Sequence, residues 1–123
     1  MRIFAENPAA TYRKVDLDAR IEAAAKGDLT RICLEEASSA LGQALLALER
    51  QPESAPQDAL SRAHGIALWL ARSVGTENPL RDHLIQFYGG IAAGIRRNMA
   101  RPSVGEIGQI RVDIADLLEA ARA

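Results

Sequence analysis

Apolar positions recur three and four residues apart through most of the 123-residue chain. This spacing is typical of one face of an α-helix. Four long segments carry it, and Gly, Pro and small polar residues separate them. They predict helices over about 28–50, 58–74, 80–100 and 103–121. Asp28, Asp58 and Ser103 stand where helix N-caps are expected.

The segment before Asp28 has a weaker pattern. Residues 16–25 predict a short helix, and residues 1–15 predict a mobile N-terminal arm with apolar anchors. Because the connections between the four long helices are short, we expect consecutive helices to be antiparallel neighbours. The sequence therefore predicts an all-α fold: a single domain, 1–123, built as an antiparallel up-down four-helix bundle with a short extra N-terminal helix or arm.

Apolar residues cover a wide arc of the helix predicted over 58–74. One stripe contains Leu60, Ala63, Ala67, Leu70 and Val74. Ile66 and Trp69 lie on an adjacent face, which gives more apolar surface than a one-sided helix needs. Such surface is typical of a binding site for another protein, and an ordinary core position is the alternative for each residue.

Two glycines, Gly90 and Gly94, lie four residues apart in the helix predicted over 80–100. A glycine inside a helix costs up to about 1 kcal/mol relative to alanine, so its presence needs a reason. Close packing of a neighbouring helix and a shallow groove that admits a partner helix explain the pair equally well.

Composition excludes several classes of protein. Hydrophobic residues make up 48% and charged residues 25%, which is typical of a folded domain. The net charge is −1 and the arginines are scattered, so no nucleic-acid partner is expected. No apolar run approaches the roughly 20 residues of a membrane span, and no signal peptide is evident. We therefore expect no membrane insertion and a cytoplasmic location.

Neither catalytic residues nor a metal or cofactor site is predicted. The chain has two histidines and one cysteine, without metal-ligand spacing around them. His64 superficially resembles the histidine of four-helix phosphotransfer domains. Those domains carry Lys and Gly on the following turn, whereas Ala67 and Leu68 stand there in this chain. A non-enzymatic protein is predicted, with phosphotransfer as a less favoured alternative.

Several short motifs occur in the order and spacing of a known family. They are Tyr12 to Ala24, Arg62-Ala63-His64-Gly65-Ile66, Ser73-Val74 followed by Glu77, Leu84 to Tyr88, and Ile110 to Ala121. Together they cover most of the chain, and by them it resembles the flagellin export chaperones, the FliS family. The resemblance implies a four-helix chaperone of bacterial flagellum biogenesis that acts in protein export.

The resemblance also implies a client and a site. Family members bind the apolar, helix-forming C-terminal segment of flagellin, prevent its premature polymerisation and deliver it to the flagellar export apparatus. The residues carried over for client binding are Tyr12, Val15 and Ile21 on the arm, Ile66, Trp69 and Tyr88 in a groove, and Arg62 and His83 at its rim. We expect a monomer or weak dimer; the alternative is a helical adaptor or oligomerisation module.

Overall fold

The structure is a computed structural model and describes residues 28–122. The predicted arm and the helix predicted over 16–25 lie outside these residues. The chain divides into two units between Ile32 and Cys33. All but the first five described residues belong to the second unit.

Four α-helices and no strand occur within residues 28–122. They are α1 (Leu29–Arg50), α2 (Gln57–Ser73), α3 (Arg81–Ala100) and α4 (Val104–Arg122). The all-α helical bundle predicted from the hydrophobic pattern is therefore confirmed. The core contains one or more buried side chains from each helix, among them Leu41, Leu60, Ile95, Ile107 and Ile114.

Polar contacts between helices show how they run. Gln57 at the start of α2 donates a hydrogen bond from Nε2 to the Met99 carbonyl at the end of α3, at 2.7 Å. Gly94 near the end of α3 meets Ile110 near the start of α4. Each of these pairs of helices is therefore antiparallel. Arg62 pairs with Glu36 between α2 and α1, and Arg111 links α4 to Ser38 on α1.

The start of α2 differs from the sequence prediction. Asp58 is not the N-cap: the helix begins at Gln57, Pro56 stands before it, and no side chain caps the first turn. Pro56 has φ −78°, a value close to that of the helix, and its carbonyl accepts the Leu60 N–H at 3.1 Å. Asp58 instead lies in the first turn, where a carboxylate interacts favourably with the helix dipole.

A buried amide closes the corner between α3 and α4. Asn98 is completely buried, and its Nδ2 donates to the Gly94 carbonyl at 2.8 Å and to Glu106 Oε1 at 2.9 Å. Its Oδ1 accepts the Ser103 N–H at 2.6 Å. Ser103 Oγ accepts the Glu106 N–H at 3.1 Å, so Ser103 is an N-cap as its position in the sequence predicts. Both polar atoms of the Asn98 side chain and the Ser103 hydroxyl oxygen are thus hydrogen-bonded.

Removal of the Asn98 side chain should destabilise the bundle. Asn98→Ala removes the three hydrogen bonds of a completely buried side chain, one of them to the Glu106 carboxylate, and we expect a cost of about 1–3 kcal/mol. Urea unfolding should show a loss of stability in this range. Gln109→Ala is the matched control, because the Gln109 amide pairs with Asp113 on the surface and its loss should cost about 0.5 kcal/mol or less. Equal losses for the two variants would contradict the role of Asn98.

The same corner should make stability depend on pH. The hydrogen bond from Arg97, and to a smaller extent the one from Asn98, lowers the pKa of the Glu106 carboxyl below its ordinary 4.5. A carboxyl whose pKa is lower in the folded state stabilises the fold above its unfolded pKa, and this contribution is lost as pH falls through the folded pKa. The stability difference between the wild type and Glu106→Gln should therefore be constant near neutral pH and shrink below about pH 4.5. A difference that does not vary down to acid pH would contradict the lowered pKa.

Candidate functional site

One flank of α2 carries three of the predicted binding residues. Arg62, Ile66 and Trp69 follow one another at spacings of four and three, so they share a face of the helix. The neighbouring stripe of Leu60, Ala63, Ala67 and Leu70 is buried. Ile66 is half-buried and Trp69 is 37% exposed. We call Arg62, Ile66 and Trp69 the Trp69 flank.

Arg62 is held in place by a neighbouring helix. Its guanidinium pairs with the Glu36 carboxylate of α1, and the two side chains are only 19% and 11% exposed. A largely desolvated pair of this kind depends on both partners, since removal of one leaves a charge with poor hydration. The Trp69 flank is therefore fixed at one end to α1, while its aromatic end reaches solvent.

The other two predicted residues lie on α3 and differ in exposure. His83 is exposed in the first turns of α3, whereas Tyr88 is 3% exposed. The Tyr88 ring lies edge-on to Phe87, with 5.7 Å between centroids. Burial raises the pKa of the Tyr88 hydroxyl, and the charge of Cys33 raises it further by a smaller amount. Tyr88 is therefore a core residue. Tyr12, Val15 and Ile21 lie outside the described residues.

A groove between α1 and α4 was not predicted. Its volume is about 650 Å³. It is lined by Glu35, Ser38, Ser39, Gly42, Gln43, Leu45, Leu46, Glu49, Arg111 and Leu118. Leu46 is 63% exposed, more than any other large apolar residue with a described side chain. It lies off the apolar stripe of α1, and this is the signal in the sequence that points to the groove. We call this feature the α1–α4 groove.

Arg111 forms part of the floor of the α1–α4 groove. Its Nε donates to the Ser38 carbonyl at 3.1 Å, and the Ser38 hydroxyl oxygen lies 3.4 Å away. A Cβ atom added to Gly42 would lie 2.8 Å from Arg111 Nη2. Because Gly42 has no side chain, the Arg111 guanidinium lies across α1 at this position. The guanidinium makes the groove shallow here.

The two glycines of α3 have different surroundings. A Cβ at Gly94 would lie 3.0 Å from Ile110 Cδ1, so here α3 and α4 pack closely. A Cβ at Gly90 would meet nothing within 4 Å, because Gly90 faces a second groove, of about 380 Å³, between the same helices. Close packing of a neighbouring helix therefore explains Gly94, whereas Gly90 lines an open groove, and a partner helix in that groove stays a prediction.

The described side chains show no grouping typical of metal chemistry. Among residues 28–122, no three or more His, Cys, Asp or Glu side chains are placed to hold a metal ion together. His64 is half-buried and His83 exposed, on different helices. The features that stand out in this part of the chain are surfaces, namely the Trp69 flank and the two grooves.

Comparison with protein-family models, with curated proteins and with solved structures finds no match to this chain. Within the described part of the chain, no helix combines the length and the apolar character needed to cross a membrane.

The two glycines provide a matched pair of variants. Gly90→Ala should stabilise the protein by about 0.5–1 kcal/mol, because alanine lowers the entropy of the unfolded chain and the new methyl group enters open space. Gly94→Ala should gain less or lose stability, because its methyl group presses on Ile110. Thermal unfolding of both variants measures the difference. An equal gain for both would mean that α3 and α4 do not approach closely at Gly94.

Proposed function

We propose that this protein is a chaperone for flagellin, which binds the apolar C-terminal segment of flagellin and keeps it from polymerising before export. The proposal has two supports: the order of the family-like motifs along the chain, and the helical bundle with an aromatic residue at its surface. Delivery of the client to the flagellar export apparatus follows from the same resemblance.

The exposure of Trp69 is the observation that carries the proposal. More than a third of this large side chain meets solvent, although the adjacent stripe of α2 is fully buried. Tryptophan is enriched among the residues that contribute most to binding between proteins, because it covers much apolar area with few rotatable bonds. A partner that covered Trp69 would gain the burial that the bundle itself does not provide.

The shape of the Trp69 flank suits a helical client. Ile66 and Trp69 lie one turn apart, so together they offer an apolar strip along α2. An amphipathic helix binds such a strip through residues at its own spacings of three and four. Arg62, held by Glu36, marks the polar edge of the strip and limits how far an apolar client extends along it.

A peptide with the sequence of the flagellin C-terminal segment tests the proposal. Because Trp69 is the only tryptophan, covering it should shift the fluorescence of the chain to shorter wavelength. Calorimetry should show that Trp69→Ala weakens binding by about 30-fold, which corresponds to roughly 2 kcal/mol for a central aromatic contact.

Leu80→Ala is the matched control for this experiment. Leu80 is 58% exposed but lies in the connection between α2 and α3 and is not part of the Trp69 flank. Its truncation should leave the affinity for the peptide unchanged. Absence of both heat and a fluorescence shift with the wild-type chain would contradict the proposed function, and equal losses for the two variants would contradict the proposed site.

A further inference from the structure

The outward face of α2 has a seam of residues spaced as in helix–helix interfaces. Its members are all exposed and follow one another at spacings of three, four, three and four: Asp58, Ser61, Gly65, Leu68 and Arg72. Repetition at this spacing keeps one line of residues toward a partner helix. The buried stripe of α2 lies on the other side of the helix. We call these five residues the α2 seam.

Packing within the described part of the chain does not require a glycine at Gly65, in the middle of the α2 seam. A Cβ atom added there would meet no atom of the described residues within 4 Å, whereas one added at Gly94 would press on Ile110. A glycine inside a helix costs up to about 1 kcal/mol relative to alanine, so Gly65 lowers the stability of α2. Close approach of a second helix from outside accounts for this glycine, because it leaves room for a large side chain of the partner.

We propose that a second copy of this chain binds the α2 seam, with the two α2 helices packed antiparallel about a twofold axis between Gly65 and Leu68. Leu68 of each copy then lies over Gly65 of the other. The proposal concerns the association of the chain with itself and does not depend on the proposed function. Because Trp69 borders the α2 seam, the dimer and a client on the Trp69 flank exclude each other.

The shape of the α2 seam fits a second copy of itself. Leu68 is 38% exposed and projects one turn beyond Gly65, where the surface is open. The twofold axis places each projection over the open position of the other copy, and no described side chain fills that position. Self-complementarity of this kind is what an interface between identical copies requires. Trp69, which is 37% exposed and adjoins Leu68, is covered at the edge of the same contact.

Charge favours the antiparallel arrangement. Asp58 is in the first turn of α2 and Arg72 in the last, so the two ends of the α2 seam have opposite charges. In a parallel pair each residue meets its own copy, and like charges face each other at both ends. In the antiparallel pair Arg72 of one copy lies opposite Ser61 of the other, within about one turn of its Asp58. Two symmetric Asp58–Arg72 pairs then flank the two leucines and leave the space above Gly65 open.

The proposed dimer is weak and reversible. Each copy contributes one face of a single helix with two exposed large apolar side chains, which places the interface at the small end of specific contacts. We expect dissociation constants on the order of 10–100 µM. At lower concentrations the chain is a monomer, and Leu68 and Trp69 are then exposed as the structure shows.

Sedimentation equilibrium of the full chain over a range of concentrations tests the proposal. The wild type should pass from monomer to dimer, and the emission of Trp69, the only tryptophan, should shift to shorter wavelength with it. Leu68→Lys should weaken the association at least about tenfold, because a charge replaces each of the two buried leucines. Val112→Lys is the control: it places the same charge on α4, at a residue that is 51% exposed, and association should not change.

Gly65→Leu separates folding from association. At low concentration its melting temperature should equal or exceed that of the wild type, because leucine favours the helix and its side chain enters open space. The same leucine fills the position that Leu68 of the other copy occupies, so association should weaken at least about tenfold. Gly108→Leu on α4 is the control, since a Cβ added there also meets no described atom within 4 Å, and association should not change.

A charge exchange distinguishes this arrangement from other dimers. Asp58→Arg alone and Arg72→Glu alone should each weaken self-association, because each places like charges near one another in both symmetric pairs. An equimolar mixture of the two variants should associate again, since the mixed dimer has two opposite-charge pairs. Circular dichroism checks that both variants retain their helices.

Four results would overturn the proposal. The first is a wild type that remains a monomer up to about 1 mM, well above the expected dissociation constant. The second is a dimer that Leu68→Lys or Gly65→Leu weakens no more than its control on α4 does. The third is a dimer whose formation leaves the emission of Trp69 unchanged. The fourth is a mixture of Asp58→Arg and Arg72→Glu that associates no better than the separate variants.

Discussion

The buried amide of Asn98 is the interaction on which the position of α4 depends. The chain leaves α3 at Ala100 and enters α4 at Val104, so the reversal has few residues in which to satisfy its backbone groups. Asn98 accepts the Ser103 N–H and donates to Gly94 and Glu106. Because water does not reach this amide, its hydrogen bonds have no solvent alternative, and the corner has one favoured geometry.

Both grooves follow from the placement of α4. With the corner fixed, Ile110 meets α3 at Gly94, and the two helices leave an open space around Gly90. One side of α4 then faces α1, where Arg111 lies across Gly42 and binds the Ser38 carbonyl. The buried polar corner at Asn98 thus determines the shape of the α1–α4 groove at Arg111, about one and a half helical turns beyond Glu106 on α4.

Hydrophobic periodicity was sufficient to predict the all-α bundle, because Pro, Gly and capping residues punctuate the chain. The corner itself was not predictable, because asparagine is usually exposed and nothing in the local sequence marks Asn98 as buried. The start of α2 also differs from the sequence prediction. Asp58 is a good capping residue, but the helix begins after Pro56 without a side-chain cap. At the start of α2 the backbone decides where the helix begins, whereas at the corner the side-chain hydrogen bonds of Asn98 decide the geometry.

The surfaces were harder to predict than the core. The stripe that includes Leu60 and Leu70 is buried as its spacing indicates, and the exposure of Trp69 agrees with a position outside that stripe. Tyr88 shares a face with Ile91 and Ile95, so its spacing indicates core, and the structure buries it. Leu46 stands outside any stripe of α1, and the groove beside it depends on Arg111, which is distant in sequence.

The two exposed apolar sites differ in chemistry, and this difference bears on how each would bind. Trp69 stands beside the half-buried Ile66, so a partner on this flank meets a continuous apolar strip that charge interrupts at Arg62. Leu46 stands between Glu49 and Arg111, so a partner there must match opposite charges on both sides of one leucine. An apolar strip accepts many amphipathic helices, whereas a leucine between fixed charges discriminates between partners. The Trp69 flank therefore suits amphipathic partners of varied sequence, and the α1–α4 groove suits a partner with one defined surface.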